Sequence, residues 1–196
     1  HLLDEQLYWT IVGSNGGADE ALLSEDGQVE IGKGLPCVDP FVVVDGRVFS
    51  WSNTASRLKL ADGGLPLPSV TRSGPLGLTV STFATNDGSE RLITTYKLQN
   101  SSDKPQHARF ILAVRPVQVN PPWQSLNNVG GLSRIEHLQV TNDSILINGS
   151  HRISMLTPAK HAWAATFDQG EAAVHLDGEF PTTQIADDPE GLAANL

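Results

Sequence analysis

This sequence predicts an all-β fold, a large antiparallel β-sandwich, and three observations carry that prediction. Asp-Gly and Asn-Gly pairs recur along the chain at Asp26-Gly27, Asp45-Gly46, Asp62-Gly63, Asp87-Gly88, Asn148-Gly149 and Asp177-Gly178, and such pairs accept the positive φ angles of tight turns. Between them, apolar and polar residues alternate with a period of two, the signature of strands with one buried face. Before the last residues there is no convincing amphipathic helix and no Gly-rich loop leading from a strand into a helix, so a parallel α/β sheet is not expected.

The elements follow in order. Trp9 lies in the first strand. Phe41 to Val44 and Arg47 to Trp51 flank Asp45-Gly46 and form the sharpest hairpin signal in the chain. Leu76, Leu78 and Val80 alternate with Gly77, Thr79 and Ser81, and Leu92, Thr94, Tyr96 and Leu98 alternate with Arg91, Ile93, Thr95 and Lys97. Phe110, Leu112 and Val114 on one face and Ile111 and Ala113 on the other make a strand apolar on both sides, which belongs in the middle of a thick β-structure. Ala172, Val174 and Leu176 alternate near the end. Roughly a dozen strands result, at hairpin spacing. Asp188-Pro189-Glu190 has the features of a helix start, with Asp at the cap, Pro in the first turn and an acid at the positive end of the dipole. Residues 1–186 thus read as the sandwich, and 187–196 as a linker or short helix leading toward a further domain.

Composition sets limits. The 196 residues suffice for a substantial core, and 18 Gly with 12 Pro fit many short strands joined by turns. The net charge of −9 and scattered Lys and Arg argue against nucleic acid. No apolar run approaches bilayer length. A single cysteine, Cys37, rules out an internal disulfide and reads as a small buried residue. Asn-x-Ser sequons at Asn100, Asn142 and Asn148 coincide with turns, where Asn and Ser are favoured anyway. A chain opening on His1 without a signal-peptide pattern reads as a processed product or an excised piece.

The stretch Arg115 to Asn128 follows the two-sided strand. Its apolar character gives way to an arginine, amides and Trp123 around Pro116, Pro121 and Pro122, and proline forces a strand to bend, bulge or leave its sheet. Arg115, Gln118, Asn120, Trp123, Gln124 and Asn127 are the candidate carbohydrate- or domain-contact residues, with amides and guanidinium for hydroxyls and an indole for the C–H face of a sugar. The alternative is a polar, Pro-stiffened loop whose Trp closes the core. Strict alternation puts Gln118 and Asn120 on the Phe110 face and Arg115 on the other, so convergence requires a twist or bulge near Pro116.

Catalytic signatures are sparse. The six histidines include no His-x-His pair and no HExxH, so no zinc site is encoded locally. Gly-x-Ser-x-Gly is missing, and no cysteine-protease signature surrounds Cys37. Glu136 with His137, His161, or His175 with Asp177 could supply acid–base chemistry, but nothing local separates them from surface residues, and no catalytic residue is assigned. No metal site and no cofactor are implied.

Tyr8-Trp9-Thr10-Ile11-Val12-Gly13, the stretch from Glu20 to Gly27 and the run from Arg115 to Trp123 together resemble the β-sandwich region of large bacterial proteins related to glycoside hydrolases. In those proteins a supersandwich similar to the galactose mutarotase fold precedes an (α/α)-toroid domain. The resemblance implies a non-catalytic accessory domain that packs on a helical domain of the same parent chain and makes carbohydrate contact, in a periplasmic or secreted setting. It carries no catalytic acid onto this sequence, because the acids of that architecture usually lie in the helical domain. Two rival expectations stand beside it. A free-standing sugar mutarotase or epimerase would show a His and a carboxylate converging on a concave face, and a structural or adhesive sandwich with a protein partner would show neither that nor a docking patch.

Overall fold

The structure is a computed structural model and describes residues 7–62, 64–119, 131–170, 175–176 and 182–195. It is all-β, with sixteen strands among the described residues and a 3-10 turn at Phe167–Gln169. The first half of the chain supplies β1 (Trp9–Val12), β2 (Ala21–Ser24), β3 (Val29–Glu30), β4 (Cys37–Val44) and β5 (Arg47–Phe49). Next come β6 (Ser56–Ala61), β7 (Leu65–Arg72), β8 (Gly77–Asn86), β9 (Glu90–Gln99) and β10 (Ala108–Arg115). The remainder forms β11 (His137–Val140), β12 (Ser144–Ile147), β13 (His151–Ser154), β14 (Ala164–Ala165), β15 (Ile185–Asp187) and β16 (Ala194–Asn195).

A six-stranded sheet runs in the order β1-β2-β3-β4-β10, with β5 also on β4. A four-stranded sheet has the order β6-β7-β8-β9, a second four-stranded sheet the order β13-β12-β11-β15, and β14 pairs with β16. All of these named strand pairs are antiparallel. The Asp45-Gly46 hairpin forms as the sequence predicts: Asp45 has φ 49° and Gly46 φ 74°, and Val44 pairs with Arg47 across them. Both central residues at positive φ match the right-handed twist of the flanking strands.

The core follows from the alternation. Val12, Ala21, Leu23, Val29, Val42 and Val44 of the first sheet share a cluster with Val70, Leu78 and Val80 of the β6–β9 sheet, so these two sheets face one another across apolar side chains. Val38 and Val114 join a second cluster with Leu138, Val140, Ile145 and Ile147. Phe41, Val43, Ile111 and Ala113 join a third with Trp163 and Leu176. The two-sided strand expected at Phe110 to Val114 is therefore real, since its two faces serve different clusters. All eight residues of β4 are buried. Pro40 survives in that strand because β3 pairs only with Cys37 and Val38, β5 only with Val42 to Val44, and Pro40 falls in the gap between them.

The helix expected to start at Asp188 does not form. Asp188 Oδ1 accepts the Glu190 amide at 2.9 Å and Oδ2 accepts the Phe167 amide at 2.8 Å, which closes a turn. Gly191, at φ 76°, then reverses the chain into β16, which pairs with β14. A Cβ at Gly191 would lie 2.7 Å from Arg134 Nε, so glycine is required there for space as well as for φ. Ala193 and Ala194 are buried. The capping chemistry of Asp-Pro-Glu is genuine, but it serves a tertiary contact instead of a helix.

Candidate functional site

Past Pro116 the chain keeps one more bond to β4, from the Cys37 amide to the Val117 carbonyl at 2.9 Å. β10 ends at Arg115, opposite Cys37, and Val117 forms a bridge with Leu132. Ser133 donates its amide to the Pro116 carbonyl at 3.0 Å and Gln118 donates its own to Gly131 at 2.9 Å. Proline's missing N–H is thus compensated by a new partner segment. Glu30, 3% exposed, fixes the root of this run with one carboxylate. Its two oxygens accept the Gly34 and Val119 amides, each at 2.9 Å. Gln118 adds a side-chain bond from Nε2 to the Gly34 carbonyl at 3.0 Å.

Arg115 turns inward. On β10 it is a diagonal neighbour of Asp39, and its NH1 donates to Asp39 Oδ2 at 3.0 Å. Asp39 is fully buried, whereas the Arg115 side chain keeps 18% exposure. Gln28 Nε2 donates to the same oxygen at 3.1 Å. Arg72, 2% exposed, reaches across from β7 and donates to the Pro40 carbonyl, meeting the strand at the gap between β3 and β5. Asp26 accepts a bond from the Ser56 hydroxyl at 2.9 Å. Burial pushes the Asp39 carboxyl above the usual carboxylate range, against the pull of Arg115, Gln28 and Arg72. Burial likewise raises Asp26, opposed by Ser56 and Arg72, and lowers Arg72, opposed by Asp39 and Asp26. The result is an interior polar hub with two acids and two arginines at the junction of the two large sheets.

Arg115 and Gln118 therefore bind Asp39 and Gly34 and do not meet on an open surface. Asn120, Trp123, Gln124 and Asn127 lie outside the described residues, as does Asp177. Trp163 is 2% exposed and meets His175 edge-on, with ring centroids 5.1 Å apart. Cys37 is fully buried. Burial drives its thiol pKa far upward, which keeps it protonated and poorly nucleophilic.

A second arrangement lies on the surface. His137 opens β11 opposite Asp187 of β15, and its Nδ1 sits 2.6 Å from Asp187 Oδ1. Asn148, at φ 50° in the β12–β13 turn, accepts the Glu136 and His137 amides with its Oδ1 at 2.9 and 3.0 Å. Its Nδ2 donates to the Arg134 carbonyl at 2.9 Å. Together Arg134, Glu136, His137, Asn148 and Gly149 line an open cleft of about 470 Å³. An imidazole held by a carboxylate has a fixed ring orientation and tautomer, the usual requirement for proton transfer. Sequence reading nominated Glu136 with His137 but missed Asp187, because a partner fifty residues away leaves no local signal. The same holds for Gln28, Glu30 and Asp39. No group of three or more His, Cys, Asp or Glu poised to hold a metal occurs among the described residues. Comparison with protein-family models, curated proteins and solved structures gave no match.

Proposed function

We propose that this chain is a non-catalytic β-sandwich module of a bacterial carbohydrate-active enzyme related to glycoside hydrolases, which packs on a helical domain and contributes carbohydrate contacts at that seam. The observation that supports it is a pair of exposed leucines at one end of the β6–β7 hairpin. Leu65 and Leu67, two positions apart on β7 and so on one face, are 51% and 48% exposed. Exposed apolar side chains grouped on one face are the kind of surface that docks another domain. The test is the full-length reading frame. A helical domain beside this module should shield the leucines, and Leu67→Asp should split one cooperative thermal transition of the parent into two. A parent without a helical domain, or a Leu67→Asp variant that melts as one unit, refutes the docking.

The His137–Asp187 pair supports a second reading, a sugar epimerase or mutarotase. A carboxylate-held imidazole beside a cleft is the convergence such an enzyme needs. Polarimetry of freshly dissolved aldoses with the isolated chain decides it: acceleration that His137→Gln removes supports this reading, and the uncatalysed rate refutes it.

A further inference from the structure

The outward face of the β6–β9 sheet is chemically unlike the rest of the molecule. Register places Arg57, Thr71, Thr79 and Lys97 in one row across the four strands. Lys59, Ser69, Ser81 and Thr95 form the next row, and Phe83 with Ile93 a third. Thr71 and Thr79 touch through their hydroxyls at 3.4 Å, which confirms the shared face. Arg91, paired with Thr85, follows the apolar row. Outward positions of all four strands carry no Asp or Glu, although the chain has 22 acids and a net charge of −9. Arg57, Lys59, Arg91 and Lys97 are exposed and make no ion pair with a carboxylate among the described residues. Beside the second row, Leu67, Ser69, Ser81 and Phe83 help line a shallow cleft of about 470 Å³.

We infer that this face binds an acidic polysaccharide, a chain of carboxylated sugars, as the carbohydrate of the module reading on which the inference rests. Strands about 4.8 Å apart set the edge cations of a row about 14 Å from one another, and successive rows about 7 Å apart. An extended sugar chain laid over the rows meets cations at both borders for its carboxylates. Ser and Thr hydroxyls between them serve its hydroxyl groups, and Phe83 with its row neighbour Ile93 offers an apolar platform for a ring's C–H face. Nucleic acid fits less well, since four separated cations on an acidic protein cannot offset a dense phosphate backbone. Cations on edge strands also hinder edge-to-edge association, a role that predicts no glycan binding.

The experiment is affinity electrophoresis of the intact chain through polygalacturonate, with neutral dextran and duplex DNA as parallel media, at low and high salt. Polygalacturonate should retard the protein at low salt, and salt should abolish the effect. Lys59→Gln and Lys97→Gln should each weaken retention about two- to five-fold, in the range of exposed charge pairs, with unchanged circular dichroism. Phe83→Ala should weaken it further without altering the salt dependence. Retention by DNA equal to that by polygalacturonate overturns the assignment, as does no retention or retention indifferent to both lysine variants. Dextran retention with the lysine variants unaffected would sink the acidic-sugar inference while leaving the carbohydrate-module reading intact. A parent that lacks a helical domain would sink the docking and leave the binding result standing.

Discussion

Removing Arg115 should expose how much the interior hub depends on charge pairing. Asp39 is fully buried and receives Arg115 at 3.0 Å and Gln28 at 3.1 Å on a single oxygen, so Arg115→Met leaves a carboxylate facing Gln28 and the more distant charge of Arg72. Breaking a buried pair on one side costs about 3–5 kcal/mol. The Arg115 side chain is 18% exposed, so water can partly replace it, and about 2–3 kcal/mol is the expected loss in urea unfolding. The pH dependence has a definite sign. The folded Asp39 already lies above its ordinary value, and losing Arg115 raises it further, so the folded variant holds a proton that the unfolded chain releases. Stability of the variant should then fall as pH rises through that window, making the defect smaller at about pH 5 than at about pH 7.5. Asp39→Asn in the Arg115→Met background should recover at least half of the loss, because it removes the stranded charge. A loss below about 0.5 kcal/mol, a pH-independent defect, or a double variant no better than Arg115→Met would refute a charge-paired hub.

Other outcomes are equally concrete. Gly46→Ala should cost about 1 kcal/mol, since only φ opposes it and no atom lies within 4 Å of the added carbon. Gly27→Ala, at φ 86° with Val80 3.1 Å from the new Cβ, should cost measurably more, and equal urea midpoints would contradict this. Trp163→Ala should lower stability by about 3–5 kcal/mol by emptying the third cluster, and a loss under about 1 kcal/mol would show that its burial is dispensable. If the Pro-rich run contacts carbohydrate, Trp123→Ala should reduce glycan retention more than it lowers the melting temperature. A large stability loss with retention untouched would place that indole in the core.

How much was legible in the sequence depended on how local the cause was. The Asp45-Gly46 hairpin was readable because two residues carry its whole geometry. The burial of Phe110 to Val114 was readable because both faces were apolar over five positions. Asp188-Pro189-Glu190 misled because a capping carboxylate looks the same whether it receives amides of its own turn or, as here, also that of Phe167. The interior hub was hidden for a different reason. Arg115 is 76 residues from Asp39, and Glu30 is 89 from Val119, so polar residues that appear suited to solvent or ligand find one another inside. A faint signal did exist in Cys37 to Val44, where a lone acid beside proline interrupts an otherwise apolar run.

β4 supplies side chains to four apolar clusters among the described residues: Val42 and Val44 to the first, Val38 to the second, Phe41 and Val43 to the third, and Cys37 to a small fourth one with Leu7 and Val119. A strand shared in this way cannot be withdrawn from one region while the others persist. The sheets on either side of it should therefore lose their amide protection together, as one unit in native-state hydrogen exchange. The slowest amides should lie on β4 and β10, and the outer strands β13 and β1 should exchange first. Dividing the chain between Gln99 and Ala108 to obtain two independently folded halves should fail, because the first fragment would expose the β10 edge of β4 and the second would have no wall to pack on. Fragments mixed in solution should instead regain structure only as a complex.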